Sequence, residues 1–329
     1  MKPRPLGSTG LQVTPVGLGL AALGRPAYID LGRDADLGDD RGVEALERRC
    51  HEVLDAAFAA GVRYLDAARS YGLAEAFLAS WLQGSWLDPA EVTVGSKWGY
   101  TYVGDWRMDA EVHEVKDHSL AALARQVRES RELLGDHLDL YQVHSATLDS
   151  GVLSDRAVLD ELARLRDDGL VIGLSSSGPG QAATIRRALE VTRGAGPFAC
   201  VQATWNLLEP SAGPALAEAS AAGWGVIVKE AVANGRLTPH GHDHGHGPAA
   251  VLERVAAGHG VGVDAVALAA VLANPWADVV LSGAVTRAQL EANLAAVGVE
   301  LTPGDLEELA ALAEPPERYW EERSALSWS

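Results

Sequence analysis

The chain has 329 residues, 47% hydrophobic and 22% charged, which is enough apolar material for a large core and too much for extended disorder. A formal net charge of −18 argues against nucleic-acid binding, which needs a basic face. Only two cysteines, Cys50 and Cys200, stand far apart, so there is no disulfide framework or zinc-knuckle spacing, and no apolar run reaches the 18 residues of a membrane span.

From the N-terminus, MKPRPLGSTG lacks the apolar centre of a signal peptide, so a soluble cytoplasmic protein without nucleic-acid or membrane partners is expected. Residues 1–15 alternate and turn at Gly7 and Gly10, as a hairpin closing the bottom of a barrel would. VGLGL (16–20) reads as a first strand. The acid-rich stretch 30–40 reads as a solvated loop. A helix is expected from about 44 to 60, with Leu46, Cys50, Leu54 and Ala57 on one face.

Four helical patterns then end in a glycine and run straight into a short apolar strand, at Gly61, Gly135, Gly169 and Gly223. Glycine supplies the left-handed residue that stops a helix, and the strands that follow are rich in Val, Ile, Leu and Tyr. Further strands read at 92–96, 199–204 and 278–283, making eight strand–helix units. Such alternation implies a parallel sheet with right-handed crossovers, and eight units fit a closed (β/α)8 TIM barrel, as one domain over 1–329. An open Rossmann sheet is the alternative, but Gly17, Gly19 and Gly24 are spaced G-x-G-x4-G and miss its fingerprint. Two segments stand outside the repeat, a long aromatic and charged loop at 99–118 and an irregular tail at 314–329 holding Tyr319, Trp320 and Trp328. Both are expected on the substrate side.

A barrel of this kind carries its site where the strands end. The polar residues there are Asp66, Lys97 and His144 after the second, third and fourth strands, then Ser175, Ser176, Gln202 and Lys229, with Tyr71 five residues beyond Asp66. Lysine occurs only at 2, 97, 116 and 229, which draws attention to any that is buried. A Tyr beside a Lys ammonium is expected to have a lowered pKa and to donate a proton to a developing alkoxide. The structural alternative is an ion pair with a surface Tyr and a satisfied His.

LDAARSYG (65–72), VGSKWG (94–99), DLYQVHSA (139–146), IGLSSSG (172–178), VQATWNLLE (201–209) and LSGAVTRAQLEANL (281–294) resemble the aldo-keto reductase superfamily, as does the opening 6–20. The likeness covers about nine-tenths of the chain. It implies a (β/α)8 barrel that interconverts a carbonyl (aldehyde, ketone or sugar) and an alcohol with a nicotinamide cofactor, NADP(H) before NAD(H). Tyr71 would be the proton donor, Lys97 held by Asp66 would tune it, and His144 would orient the carbonyl. Gly19, Leu20, Asp66, Ser175, Ser176 and Gln202 would hold the nicotinamide end, with Ser176 in place of the usual Asn.

Lys229-Glu230 replaces the Tyr-Ser of the family, so the ring-stacking Tyr is missing; Lys229 either pairs with Glu230 or contacts cofactor or a substrate anion. The adenosine end would lie on Gly283, Thr286, Arg287, Gln289 and Asn293. Thr286-x-x-Gln289 is also a capping box in its own right, and Arg287 is the nearby cation.

Trp98, Trp106 and Trp205 are expected as substrate walls, and an aromatic mouth with few cations points to a neutral small-molecule substrate. No metal is expected: His240, His242, His244 and His246 sit in a glycine-rich run without a rigid frame. A cofactor-binding regulatory protein and a Schiff-base enzyme using Lys97 or Lys229 remain the other readings.

Overall fold

The structure, a computed structural model, describes residues 1–193, 196–241 and 248–328. A hairpin of β1 (Arg4–Pro5) and β2 (Gln12–Val13) precedes the barrel strands β3 (Val16–Gly19), β4 (Tyr64–Asp66) and β5 (Thr93–Trp98). A second hairpin follows, β6 (Tyr100–Tyr102) with β7 (Glu114–Lys116), and then β8 (Leu138–Ala146), β9 (Val171–Ser176), β10 (Phe198–Thr204), β11 (Gly225–Lys229) and β12 (Val279–Ser282). Strands β3, β4, β5 and β8 to β12 close in that order into an eight-stranded parallel barrel, as expected.

The helices are α1 (Arg33–Leu37), α2 (Val43–Ala59), α3 (Ala74–Ser85), α4 (Leu120–Leu134), α5 (Arg156–Asp167) and α6 (Gln181–Arg193). They continue as α7 (Gly213–Ala221), α8 (Pro248–His259), α9 (Val263–Leu272), α10 (Arg287–Leu294), α11 (Pro303–Ala310) and α12 (Pro316–Ser324). The expected stop glycines Gly61, Gly135, Gly169 and Gly223 all have positive φ. No single described helix is long and apolar enough to cross a membrane.

Two glycine positions show how side-chain volume sets the inside of the barrel. Leu6 plugs the bottom, and a Cβ on Gly225 would stand 2.5 Å from its Cγ. One turn higher, the Tyr64 ring fills the space that Gly17 and Gly95 leave on the two neighbouring strands, where added Cβ atoms would lie 2.7 and 2.5 Å from it. Leu6, Val13, Leu140, Ile227 and Val279 complete this plug. It is dry packing, so the polar end of Tyr64 turns upward and donates to Asp66 Oδ2 at 3.0 Å.

Three expectations change. The acid-rich stretch 30–40 is not a solvated loop, since residues 33–37 form α1 with Arg33 and Leu37 buried. Residues 99–118 are not an open loop: Tyr100–Tyr102 and Glu114–Lys116 pair antiparallel, because alternating side chains there can face the barrel mouth on one side and solvent on the other. The tail is not irregular either. Pro316 starts α12, whose Tyr319 and Trp320 pack against Leu237, Leu252, Leu309 and Leu312. Burying two such aromatics contributes on the order of 2–3 kcal/mol each.

Candidate active site

The strand ends bring Asp66, Lys97 and His144 together from three neighbouring strands, β4, β5 and β8. Lys97 and Asp66, both almost fully buried, form a close ion pair, and Lys97 Nζ also donates to Ala67 O at 2.9 Å. Asp66 Oδ2 accepts from Tyr64 and from Gln202 Nε2 at 2.8 Å. A buried ion pair is tolerable only when its remaining polar atoms are satisfied in this way. Burial lowers the Lys97 pKa, and Asp66 opposes that shift.

Tyr71 lies above this pair, its ring centroid 4.8 Å from Lys97 Nζ and 5.4 Å from the His144 ring. Its hydroxyl makes no hydrogen bond among the described residues. The expected lowering of its pKa is not found. Burial, and next the Asp66 carboxylate, hold the phenol well above its usual value, with Arg25 acting in the opposite direction. The Lys97 charge is spent on Asp66.

His144 is driven well below its usual value by burial first and then by the positive charges of Lys97, Lys229 and Arg25, so it is a neutral imidazole. Its Nδ1 lies 3.3 Å from Ser70 Oγ, and its carbonyl accepts from His118 Nε2 at 2.9 Å.

These groups floor a cavity of about 430 Å³. Its walls include residues that sequence reasoning missed. Arg25 is bonded to Glu114 and lies 4.9 Å from the rings of both Tyr28 and Trp328. Trp328 stacks on His113, with centroids 4.1 Å apart and planes 10° from parallel. The loop after β3, the β6–β7 hairpin and the C-terminal tail thus meet over the tetrad. On the opposite side, Arg323 of α12 grips Glu230 through three hydrogen bonds. The one sequence signal for these partners was position: Arg25 follows a strand end, and Trp328 lies in the aromatic tail.

Of the expected cofactor residues, Gly19, Asp66, Gln202, Lys229 and Gly283 line the cavity, and the space beyond the Gly283 Cα is open. Leu20 is core. Ser175 Oγ accepts from Ser145 N at 2.8 Å, while Ser176 Oγ is buried without a partner. Thr286 caps α10 by accepting from Gln289 N at 3.2 Å. Gln289 reaches back one residue further than a capping box requires, to Val285 N at 2.9 Å. Asn293 bonds Ser282 Oγ at 2.8 Å, and Arg287 is held in solvent by Glu291 at 2.7 Å. Gln289 is further covered by Asp36, 2.6 Å away, so none of these four residues faces the cavity.

The donors and glycines on the floor therefore fit the nicotinamide end of a cofactor, whereas at the expected adenosine end Asp36 of α1 lies over Gln289. His240 lies 3.5 Å from Asp36, and His242, His244 and His246 lie outside the described residues.

The three substrate tryptophans do not line the cavity; for Trp98, on β5, the reason is that neighbours along a strand face opposite ways. With Lys97 turned inward, Trp98 packs outward against His118. Trp205 meets Trp276 at 5.9 Å, and Trp106 packs on Phe77 with its Nε1 on Arg41 O. Nor are cations few: Arg25, Lys116, Lys229 and Arg323 all line the cavity.

A family model described as "Aldo/keto reductase family" matches residues 37–314. Among curated proteins, "Uncharacterized oxidoreductase YqkF" of Bacillus subtilis (strain 168) is 26% identical over 184 residues, 54% of this chain and half of that protein's length. Among solved structures, Pseudomonas aeruginosa PA4992, named as a candidate aldo-keto reductase, superposes with a TM-score of 0.64 at 26% identity, covering 89% of this chain and 93% of the other. Aldo-keto reductase AKR11C1 from Bacillus halodurans, in its holo form, gives 0.72 at 22% identity over 96% and 97%, a likeness of fold.

Proposed function

This chain belongs to the aldo/keto reductase family, and from that premise we propose that it interconverts a carbonyl and an alcohol with a nicotinamide cofactor, Tyr71 moving the proton. The observation that carries the reading is the convergence of an unbonded Tyr71 hydroxyl and the neutral His144 ring on one cavity above the Lys97–Asp66 pair. A nicotinamide, when bound, supplies the hydride that reaches the carbonyl carbon, or receives it in the reverse direction.

The remaining work falls to this chain. Tyr71 keeps its proton because burial disfavours the phenolate, so the proton is present until an alkoxide develops on the carbonyl oxygen. The neutral tautomer in which His144 Nδ1 accepts from Ser70 Oγ, 3.3 Å away, is the one that has an Nε2–H to donate to the same oxygen. Two fixed donors aimed at one developing charge act most strongly where water is excluded, and the Arg25–Trp328–His113 stack covers that mouth. Lys97 stabilises the phenolate left behind, while Asp66 keeps that ammonium in place. Gly19, Gln202 and Gly283 would hold the cofactor.

NADP(H) remains the family expectation, but the cation meant for its 2′-phosphate, Arg287, is engaged with Glu291. Replacing Tyr71 by Phe removes the proton and little else. Turnover is expected to fall about 10²–10⁴-fold with an unchanged melting temperature, whereas unchanged turnover would remove Tyr71 from the mechanism.

A further inference from the structure

The cavity does not share the strong acidity of the molecule, since four cations and four acids line it. Against a net charge of −18 and only four lysines in the whole chain, two lysines, Lys116 and Lys229, line it together with Arg25 and Arg323, and Lys97 is bonded to its Asp66. Three of these five cations are committed: Lys97 to Asp66, Arg25 to Glu114 and Arg323 to Glu230. Lys116 is not, and Lys229 shares Glu230 with Arg323 only at long range. Lys116 Nζ donates to a carbonyl, Ser145 O at 3.0 Å, and makes no ion pair among the described residues.

Lys229 Nζ stands 3.8 Å from Glu230 Oε1, beyond a hydrogen bond. That carboxylate is already taken by Arg323 and by Thr204 Oγ1 at 3.1 Å. Lys229 instead donates to Thr204 Oγ1 at 2.9 Å and Ser177 Oγ at 3.3 Å, and Ser177 Oγ lies 3.1 Å from Ser145 Oγ. Two of its three N–H bonds are thereby used and one is left for a ligand.

This series of hydroxyls and an ammonium runs along the ends of four adjacent strands, β8 to β11. It begins at Ser145, the residue after His144; the Ser145 backbone is held at φ 48°, a left-handed conformation that is unfavourable for a non-glycine residue. The remaining acid of the cavity wall, Asp30, lies against Gly235 and is raised to about 7 by burial, so near neutral pH it is no fixed counter-charge.

We propose that Lys116, Ser145, Ser177 and Lys229 form an anion subsite beside His144, and that the carbonyl substrate of this enzyme carries a carboxylate. The proposal rests on the reading of Tyr71 and His144 given above, since it places the carboxylate next to the group that orients the carbonyl. It moves Lys229 from the cofactor to the substrate and replaces the expectation of a neutral substrate.

Succinic semialdehyde and butanal differ in a carboxylate against a methyl group and carry the same aldehyde. The ratio of their kcat/KM values is expected to favour succinic semialdehyde about tenfold or more, the effect of one charge-assisted hydrogen bond. Lys229→Met should collapse that ratio, and Lys116→Gln, at an exposed position, should reduce it without endangering the fold. Succinate is expected to change the tryptophan fluorescence of the cofactor-free protein, whereas succinamide is not.

Equal use of both aldehydes by the unaltered enzyme overturns the proposal. So does displacement of succinate by inorganic pyrophosphate with the same Lys229 dependence, which would give the subsite to the cofactor. If neither aldehyde turns over yet succinate binds through Lys229, the subsite stands and the proposed reaction fails. If neither turns over and succinate does not bind, both fail.

Discussion

The two arcs of the barrel mouth are built differently. On the β4–β5–β8 arc three of the four reactive groups are fixed by strand register and by burial: Asp66, Lys97 and His144 project from neighbouring strands, Tyr64 props Asp66 from below, and Tyr71 follows on the short loop after β4. On the β10–β11–β12 arc the groups near the cavity are fixed by distant segments. Arg323 arrives from the C-terminal helix to hold Glu230, and Asp36 arrives from the short helix α1 to cover Gln289. The first arc can carry a general reaction because three of its four groups are set by strand register, and Tyr71 stands only five residues beyond a strand end. The second can be altered by changes far away in sequence, so it is where preference for one substrate or cofactor is set.

Removing one lysine from each arc sharpens the contrast. Lys97→Met leaves Asp66 buried without its counter-charge and is expected to cost about 3–5 kcal/mol of stability. Lys229→Met leaves Glu230 still gripped by Arg323, so its cost should stay near the 1 kcal/mol of an ordinary hydrogen bond. Denaturant unfolding of both variants measures the difference, and equal losses would break the comparison.

Arg323→Met is the corresponding break on the second arc. Arg323, aided by Lys229, depresses the Glu230 carboxyl to about 2 despite its burial. A depressed carboxylate stabilises the fold fully above its unfolded pKa, near 4.5, and that contribution is lost as pH falls towards 2. The contribution is about 3 kcal/mol. Without Arg323, this acid-sensitive part of the stability curve should vanish, which melting curves between pH 2 and 7 would show. A curve that keeps its acid limb would mean another pair sets it.

The same division explains what could be read from the sequence. Strand ends are visible as apolar runs stopped by polar residues, so Asp66, Lys97 and His144 were legible, and Tyr71 followed by its spacing. Trp98 misled because an aromatic next to an inward residue on a strand must face outward, as it does beside Lys97, whereas Trp106 and Trp205 lie off the strands and pack on Phe77 and Trp276. Period-two reasoning applied at Trp98 would have caught this. Helix α12 was also readable, since Pro316 fits a first helical position and Arg318 and Glu322 are spaced for an i,i+4 pair. The meeting of Arg25, Glu114 and Trp328 was not, because it joins a loop, a hairpin strand and the C-terminal tail, whose paths depend on the whole fold.

Lys229 gives a pH test of the second arc. Its pKa is lowered to about 8, mainly by burial, with Arg323 and Lys97 acting in the same sense and Glu230 and Asp66 opposing. Above that value the ammonium becomes neutral, so any preference for a carboxylate substrate should decline between pH 7 and 9. The ratio of kcat/KM for succinic semialdehyde over butanal is expected to fall up to about tenfold. Using the ratio cancels the ionisation of Tyr71, which lies well above its usual value and affects both substrates alike.

The smallest effect concerns the cofactor. Asp36 lies 2.6 Å from Gln289 Nε2, at the first turn of α10, and its other oxygen is 3.5 Å from His240. If the adenosine ribose reaches this helix, a 2′-phosphate meets a carboxylate there, while Arg287 remains bound to Glu291. Two like charges at a hydrated surface repel by about 1 kcal/mol at close contact, so Asp36→Asn should raise the affinity for NADPH relative to NADH about fivefold. Fluorescence titration with each cofactor measures that ratio directly. A rise confined to NADPH would place the phosphate at α10 and show that the acidic helix α1, remote from the tetrad, disfavours it. An unchanged ratio would mean that the cofactor leaves the cavity by another path, and that Thr286, Gln289 and Asn293 serve only to cap and brace the helix.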